Sequence, residues 1–155
     1  MALLGSFILI LNLLSQTSSV PAHGDDIFSP EEIRQLKKGN SVEHRIKIYQ
    51  AASERIQKSL QQSAAKEEFK IVPDTLKTWT LLLANSLEDI ETNLKAKKKP
   101  RSLINYEIHV RKAIVNMKGY KIKAPADQQD AFISCIDHAE SVHKKFVEIL
   151  FQLKS

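Results

Sequence analysis

The sequence contains a single cysteine, Cys135, among 155 residues, so the chain cannot form an internal disulfide bond. A Cys-x-x-Cys-His motif for covalent haem is excluded for the same reason. Neither a glycine-rich phosphate loop nor a Gly-x-Ser-x-Gly motif is present. The five histidines are scattered and lack the spacing of a metal-binding cluster. We therefore predict no catalytic residues, no metal site and no cofactor, and we expect side-chain packing to provide the stability.

Charged residues are absent from residues 1–24, and a mostly apolar segment, residues 3–14, lies within this region. That segment is shorter than the roughly 20 residues needed to span a bilayer as a helix. Val20 and Ala22 are small enough for the positions three and one before a cleavage site. We interpret residues 1–22 as a signal peptide cleaved after Ala22, which predicts a secreted or periplasmic protein. The alternative is an apolar N-terminal helix that stays in the fold.

The remaining residues have the length of one domain, which we divide into a flexible lead, residues 23–28, and a helical domain, residues 29–155. All 23 basic and 18 acidic residues of the chain belong to this part. The net charge of +5 favours anionic surfaces without specifying one. We expect no transmembrane segment in the mature chain, and the sequence leaves the oligomeric state open.

Helix signals recur along the domain. Ser29, Pro30 and Glu32 have the pattern of a capping box at the start of a short helix. Four longer segments then repeat apolar residues at spacings of three and four, which is typical of amphipathic helices. The predicted helices run over about residues 30–38, 42–64, 74–94, 102–118 and 125–153. This pattern predicts an all-α protein, an antiparallel up-and-down four-helix bundle with a short N-terminal helix across one end.

Residues 102–118 form the most apolar of the predicted helices, and Gly119 is expected to end it. The alternation between Tyr106 and Arg111 would also fit a strand, but the length of the apolar run favours a helix. Glu107 and Arg111 lie four residues apart within the apolar arc, so their side chains share one face. An unpaired buried charge is costly, and these two residues are therefore the most informative polar positions.

The last predicted helix places His143 within its apolar stripe and Glu140 three residues earlier. Counting helical turns puts His143 near Glu107 and puts Glu88 level with Arg111. One hypothesis is a core pocket for a small anionic or polar ligand. Its candidate residues are Glu107, Arg111, His143, Glu140 and Glu88. The alternative is an ion pair between Glu107 and Arg111 that sets the helix register, with His143 hydrogen-bonded beside it.

Three histidines and the single cysteine are expected to have structural and not functional positions. His44, His109 and His138 fall on faces that we expect to be wet. Cys135 lies on the inner stripe of the last helix, which favours a packed core thiol over a nucleophile or a dimer bridge.

A cluster of basic residues is expected at one end of the bundle, where three helix ends meet the loop around Pro100. This basic pole comprises Lys37, Lys38, Lys95, Lys97, Lys98, Lys99, Arg101 and Lys154. It could meet an anionic envelope surface or an acidic protein. The alternative is a solvated loop that stabilises helix dipoles. Export, and the expected absence of aromatic residues for base stacking near this cluster, argue against a nucleic-acid partner.

Three function classes follow from these features. The first is an exported, non-enzymatic helical-bundle protein that acts through the basic pole. The second is a binder of a small ligand or metal at Glu107, Arg111 and His143. The third is a small all-helical enzyme with an arginine-lined core.

Overall fold

The structure, a computed structural model, describes residues 27–38 and 41–153. These ranges contain five α-helices and no strand, which confirms the predicted all-α class. The helices are α1 (Pro30–Lys38), α2 (Val42–Ala65), α3 (Val72–Asn93), α4 (Arg101–Lys123) and α5 (Gln129–Gln152). Short 3-10 turns precede α3 and α5. The predicted signal peptide, residues 1–22, lies outside the described residues.

The predicted start of α1 is confirmed by its hydrogen bonds. The backbone N–H of Ser29 donates to Glu32 Oε2 at 2.6 Å, and the N–H of Glu32 donates to Ser29 Oγ at 3.2 Å. This reciprocal pair is a capping box. Ile27, which the sequence places in the flexible lead, is only 2% exposed and belongs to the core. The chain is therefore already packed two residues before the capping box.

We expected helix α1 to lie across one end of the bundle, and this prediction is wrong. Helix α1 lies along the side of α2. Arg55, in the middle of α2, donates to Glu32 Oε2 at 2.8 Å and to the carbonyl oxygen of Ile27 at 2.8 Å. The ring of Phe28 lies 6.0 Å from that of Tyr49, which also belongs to α2. These contacts run back along α2 because the connection between the two helices is short.

Helix α4 does not end at Gly119, and this prediction is wrong. The helix continues to Lys123, and Gly119 is an exposed position within it. The last residue before the loop is Ala124, with an extended backbone at φ −73° and ψ 146°. Pro125 disfavours the helical conformation of the residue before it. Proline therefore ends this helix, and the glycine is tolerated inside it.

The four long helices pack in a ring in which α2 contacts α3 and α4, and α5 contacts the same two helices. Arg45 at the start of α2 binds Asp89 near the end of α3, so these two helices are antiparallel. Helices α3 and α5 run parallel, because Thr80 binds Cys135 near their starts and Ile90 lines a groove with Ile149 near their ends. Helices α4 and α5 are antiparallel, because Lys118 binds Glu140 and Lys99 lies against Phe151. It follows that α2 and α4 run parallel. In this ring α3 and α4 occupy opposite corners.

The connection between α3 and α4 must therefore cross the diagonal of the ring. Residues 94–100 span up to about 23 Å when extended, at roughly 3.3 Å per residue. Two helices on a diagonal are about 14 Å apart, because neighbouring axes lie about 10 Å apart. The loop is long enough to permit this crossing, and a simple order with α3 beside α4 is not adopted.

The core is built from large apolar side chains of all four long helices. The largest fully buried aromatic side chains are Trp79, Tyr106, Phe132 and Phe146. Helix α4 is less enclosed than its composition predicts, because Val115 is 65% exposed. The reason is that, among the described long helices, α4 packs mainly against two, α2 and α5.

Candidate functional site

Glu107, Arg111 and His143 meet at the contact between α4 and α5. Glu107 Oε1 lies 2.7 Å from His143 Nε2 and accepts a hydrogen bond from Arg111 Nε at 3.2 Å. A carboxylate can only accept, so the Nε2 atom of His143 carries the proton. The side chain of Glu107 is 13% exposed and that of His143 is 23% exposed. The sequence thus identified three residues that come together.

Arg111, however, does not line the core. Its side chain is 58% exposed, and its ion pair with Glu107 lies at the edge of the contact between the two helices. A long arginine stem lets the guanidinium reach water from such a position. The predicted buried couple is therefore corrected to a mostly buried carboxylate whose partners are a half-buried imidazole and a solvated arginine. An arginine-lined core is not formed at this position.

Glu88 and Glu140 do not join this cluster, and both placements are corrected. Glu88 is exposed on α3, which occupies the corner opposite α4, so it does not contact Arg111. Glu140 is exposed and forms a salt bridge with Lys118 at 2.5 Å. The Glu-x-x-His spacing on α5 therefore does not produce a pair of side chains that converge on one ligand.

Asp89, the residue after Glu88, forms a polar cluster that was not predicted from the sequence. It accepts hydrogen bonds from Arg45 Nε at 2.7 Å, Arg45 Nη2 at 2.6 Å and the Tyr49 hydroxyl at 2.7 Å. Burial opposes the charge of Asp89, but the hydrogen bonds from Arg45, Tyr49 and Asn93 outweigh it and lower its pKa. The cluster ties the start of α2 to the end of α3.

A surface groove runs beside Glu107 between α4 and α5, with a volume of about 240 Å³. The residues that line it are Lys99, Ile104, Glu107, Val147, Leu150 and Phe151. Its walls are mostly apolar, with a carboxylate at one position and an ammonium at another. A small polar molecule with an apolar part would match this lining.

The contacts of Glu107 give a testable ranking. We expect Glu107→Gln to lower the free energy of unfolding by about 1–3 kcal/mol, because it removes a charged acceptor from a mostly buried site. Arg111→Ala should cost less than about 0.5 kcal/mol, as exposed pairs four apart on a helix do. Urea denaturation of both variants measures the difference. Equal losses would contradict the burial difference between the two side chains.

A second polar network lies inside the ring, between α2, α3 and α4. Trp79 Nε1 donates to Ser53 Oγ at 2.7 Å, and the same oxygen lies 2.8 Å from His109 Nε2. Ser53 and Trp79 are fully buried. Since the indole only donates, the hydroxyl proton of Ser53 is free to bind His109 Nε2. The imidazole then carries its proton on Nδ1.

His109 is thus not on a wet face, and that prediction is wrong. Its ring is half-buried and stacks on Tyr106 at an interplanar angle of 11°. Burial lowers the pKa of His109, while Glu54 opposes this effect and Lys112 adds to it. One signal in the sequence was available, because the indole N–H of a core tryptophan needs a partner and Ser53 lies beside the apolar stripe of α2.

Ser53 and His109 form a hydrogen-bonded serine–histidine pair, as the nucleophile and base of a hydrolase do, but their surroundings differ from those of an active site. Ser53 is 0% exposed, so no substrate can approach its oxygen. Its oxygen also accepts a hydrogen bond from Trp79. A third group that orients the imidazole, as in a catalytic triad, is not found within the described residues. The network stabilises the interior and does not constitute an active site.

Cys135 and the two remaining histidines differ in their exposure. Cys135 is 4% exposed, which confirms the packed thiol, and burial raises its pKa to about 11. His44 is exposed, as predicted. His138 is half-buried and its Nε2 atom is covered, so its predicted wet position is corrected. In the described part of the chain, no three His, Cys, Asp or Glu side chains are grouped as metal ligands.

Most residues of the basic pole belong to the end of α1 and to the loop between α3 and α4. Those that are exposed are Lys37, Lys38, Lys95, Lys97, Lys98 and Arg101. Lys99 is half-buried, and its Nζ atom lies 5.9 Å from the centre of the Phe151 ring. This contact joins the loop to the end of α5, where Phe151 itself is 81% exposed. The expectation that no aromatic residue lies near the cluster is therefore wrong. Lys154 lies outside the described residues.

None of the helices in residues 27–38 and 41–153 combines the length and hydropathy required to span a bilayer. Comparisons with protein-family models, with curated proteins and with solved structures found no significant match.

Proposed function

We propose that this chain is an exported, non-enzymatic four-helix bundle protein that contacts an anionic envelope surface through the basic pole. The alternative partner for the basic pole is an acidic protein. The ring of long helices provides the rigid body of the bundle, and the apolar segment before Ala22 supports export.

The observation that carries the proposal is the position of Phe151 beside the lysine loop. An exposed aromatic ring next to several cations is the composition of peripheral membrane contacts, in which the ring enters the interface and the cations meet anionic headgroups. Phe151 is the most exposed of the large apolar side chains in the described residues, and Lys99 lies against its ring. A loop that only stabilised helix dipoles would not need this ring.

Removal of the loop charges should weaken surface binding. We expect the combined change of Lys97, Lys98, Lys99 and Arg101 to serine to weaken binding to phosphatidylglycerol vesicles by about a hundredfold or more. The reason is that each cation near an anionic membrane contributes about 1 kcal/mol, and 1.4 kcal/mol corresponds to tenfold. Co-sedimentation at low and moderate salt measures the effect.

The matched control removes four charges from the other end of the helices. This control changes four lysines that follow α2 or end α4 to serine, namely Lys66, Lys70, Lys121 and Lys123. It alters the net charge by the same amount as the loop variant does. This variant should bind the vesicles nearly as well as the wild type. If both variants lose affinity equally, net charge and not the basic pole determines binding. Unchanged binding of the loop variant would refute the proposal.

A small-ligand function is the second candidate, and the groove beside Glu107 favours it. Glu107 lines this groove while its carboxylate is held by His143 at 2.7 Å. Small amines and carboxylates, screened by NMR, should shift the amide signals of Ile104 and Val147 if the groove binds them. Glu107→Gln should abolish the shifts caused by amines. An enzymatic function receives no such support, because Arg111 is solvated.

A further inference from the structure

A second groove between α4 and α5 lies at the end of the bundle opposite the basic pole. It has a volume of about 360 Å³, and its walls come from residues 118–122 of α4 and 133–140 of α5. Ile122 and Ile133 line this groove and are 79% and 42% exposed, and Val115, seven residues before Ile122 on the same face of α4, is 65% exposed. These are three of the five large apolar side chains that are exposed within the described residues. Such grouping is typical of a surface that contacts another protein.

The backbone of α4 is open beside these side chains. Gly119 lies between Val115 and Ile122 and is exposed, and a Cβ atom added to it would meet no atom within 4 Å. Glycine lets another backbone approach closely because it has no side chain. A second helix can therefore pack against this part of α4.

The two walls of the groove carry opposite charges. Lys118 and Lys121 line it from α4, whereas Asp137 and Glu140 line it from α5. Lys118 and Glu140 bind each other within the chain at 2.5 Å, while Lys121 and Asp137 form no ion pair within the described residues. A surface of one charge, such as an anionic membrane, would be attracted by one wall and repelled by the other. A partner that matches the groove must carry both signs in the opposite order.

We propose that this partner is a second copy of the chain and that the two copies form a symmetric dimer. A two-fold axis parallel to the helices sets α4 of each copy against α5 of the other, so lysines face carboxylates twice. It brings Lys121 opposite Asp137 of the second copy, because both residues line the groove at the same level. An axis perpendicular to the helices would set α4 against α4 and lysines against lysines, which is unfavourable. The apolar side chains of Val115, Ile122 and Ile133 are then covered in both copies.

This dimer leaves the basic pole free. The groove is formed by the end of α4 and the start of α5, whereas the lysine loop precedes α4. Because the axis is parallel to the helices, the basic poles of the two copies lie at the same end of the dimer. Dimerisation goes beyond the proposed function and does not depend on it, since it uses a different face of the bundle.

Sedimentation equilibrium of the full chain tests the dimer. The mass should rise from that of one chain, 17.6 kDa, toward twice this value as the protein concentration increases through the micromolar range. Ile122→Ser should raise the dissociation constant about tenfold or more, because each dimer loses two buried isoleucine side chains. This variant should fold normally, because the side chain is 79% exposed in one copy. Ile71→Ser changes a 53% exposed isoleucine outside the groove, and this matched control should dimerise as the wild type does.

Two charge reversals test the pairing across the axis. Lys121→Asp and Asp137→Lys should each weaken the dimer by about tenfold, because each change replaces two attractive contacts by two repulsive ones. An equimolar mixture of the two variants should form a mixed dimer about as stable as the wild-type dimer, because both contacts then join opposite charges. Pairing within one chain cannot produce this recovery, since each variant chain carries two like charges at these positions.

Three results would overturn the inference. The mass of one chain at every concentration would mean that a different molecule covers the groove. Equal dissociation constants for Ile122→Ser and Ile71→Ser would mean that the copies meet at another surface. A mixture of the charge variants that is no more dimeric than its components would refute the pairing of α4 with α5 across the axis. Vesicle binding by the four-residue loop variant tests the basic pole separately, so the two failures are distinguishable.

Discussion

Replacement of Trp79 by alanine is expected to lower the free energy of unfolding by about 3–5 kcal/mol, the cost of removing a large aromatic side chain from a packed core. Trp79 is 0% exposed and is among the largest fully buried side chains. Its loss leaves a cavity between α2 and α3 and removes the indole donor to Ser53. Chemical denaturation of the purified domain measures the change, with the m-value as a check on cooperativity.

Two further variants separate packing from hydrogen bonding at this position. Trp79→Phe keeps a buried aromatic ring but removes the N–H donor and part of the ring volume. It should cost roughly 0.5–1.5 kcal/mol for the hydrogen bond and somewhat more for the lost volume. Phe151→Ala removes an aromatic ring that is 81% exposed and should leave the free energy of unfolding nearly unchanged. A loss for Phe151→Ala as large as that for Trp79→Ala would contradict the described core.

Acidification is expected to destabilise the protein through His109. Burial lowers the pKa of His109 from its ordinary value of 6.5. Below pH 6.5 the unfolded chain therefore binds a proton that the folded chain does not, and stability falls as the pH falls. The slope for this one group is at most about 1.4 kcal/mol per pH unit, and the loss stops growing below the folded pKa.

The structure also explains why the protonated form of His109 is disfavoured. A protonated Nε2 would have to donate to Ser53 Oγ, which already accepts from Trp79. The hydroxyl proton of Ser53 would then have no acceptor in a buried site. Protonation thus conflicts with the hydrogen bonds of the core in addition to the cost of burying charge.

His109→Gln is the variant that isolates this effect, because the amide oxygen can accept from Ser53 but cannot titrate. Its stability should change less than that of the wild type as the pH falls below 6.5. The other histidines and carboxylates are the same in both proteins. The pKa of Asp89 is lowered from its ordinary value of 3.8, so protonation of Asp89 should destabilise both proteins only at lower pH. Parallel stability curves for the two proteins would refute the role of His109.

Much of the local structure could be predicted from short stretches of sequence. The capping box at Ser29 depends on residues three apart, and the amphipathic helices depend on apolar spacing within each segment. Glu107 and His143 were also placed correctly, because a short connection between α4 and α5 makes them antiparallel neighbours. Turn counting works where the loop allows only one arrangement.

The predictions failed where a residue depended on distant partners. Glycine is common at helix ends, but α4 tolerates Gly119 and continues past it. Pro125 ends the helix because it disfavours a helical conformation of the residue before it. The predicted proximity of Glu88 to Arg111 assumed that α3 and α4 are neighbours in the ring. The loop of residues 94–100 permits a diagonal crossing as well, and no local pattern distinguishes the two orders.

The sequence by itself determined where the helices begin, which residues alternate in hydrophobicity and which part of the chain carries the charge. These properties depend on interactions between residues at most four apart. Only the tertiary structure decided that α4 packs beside α2, which brings His109 to Ser53 and leaves Arg111 in water. The choice among helix neighbours depends on the fit of whole side-chain surfaces, which the spacing of apolar residues does not encode.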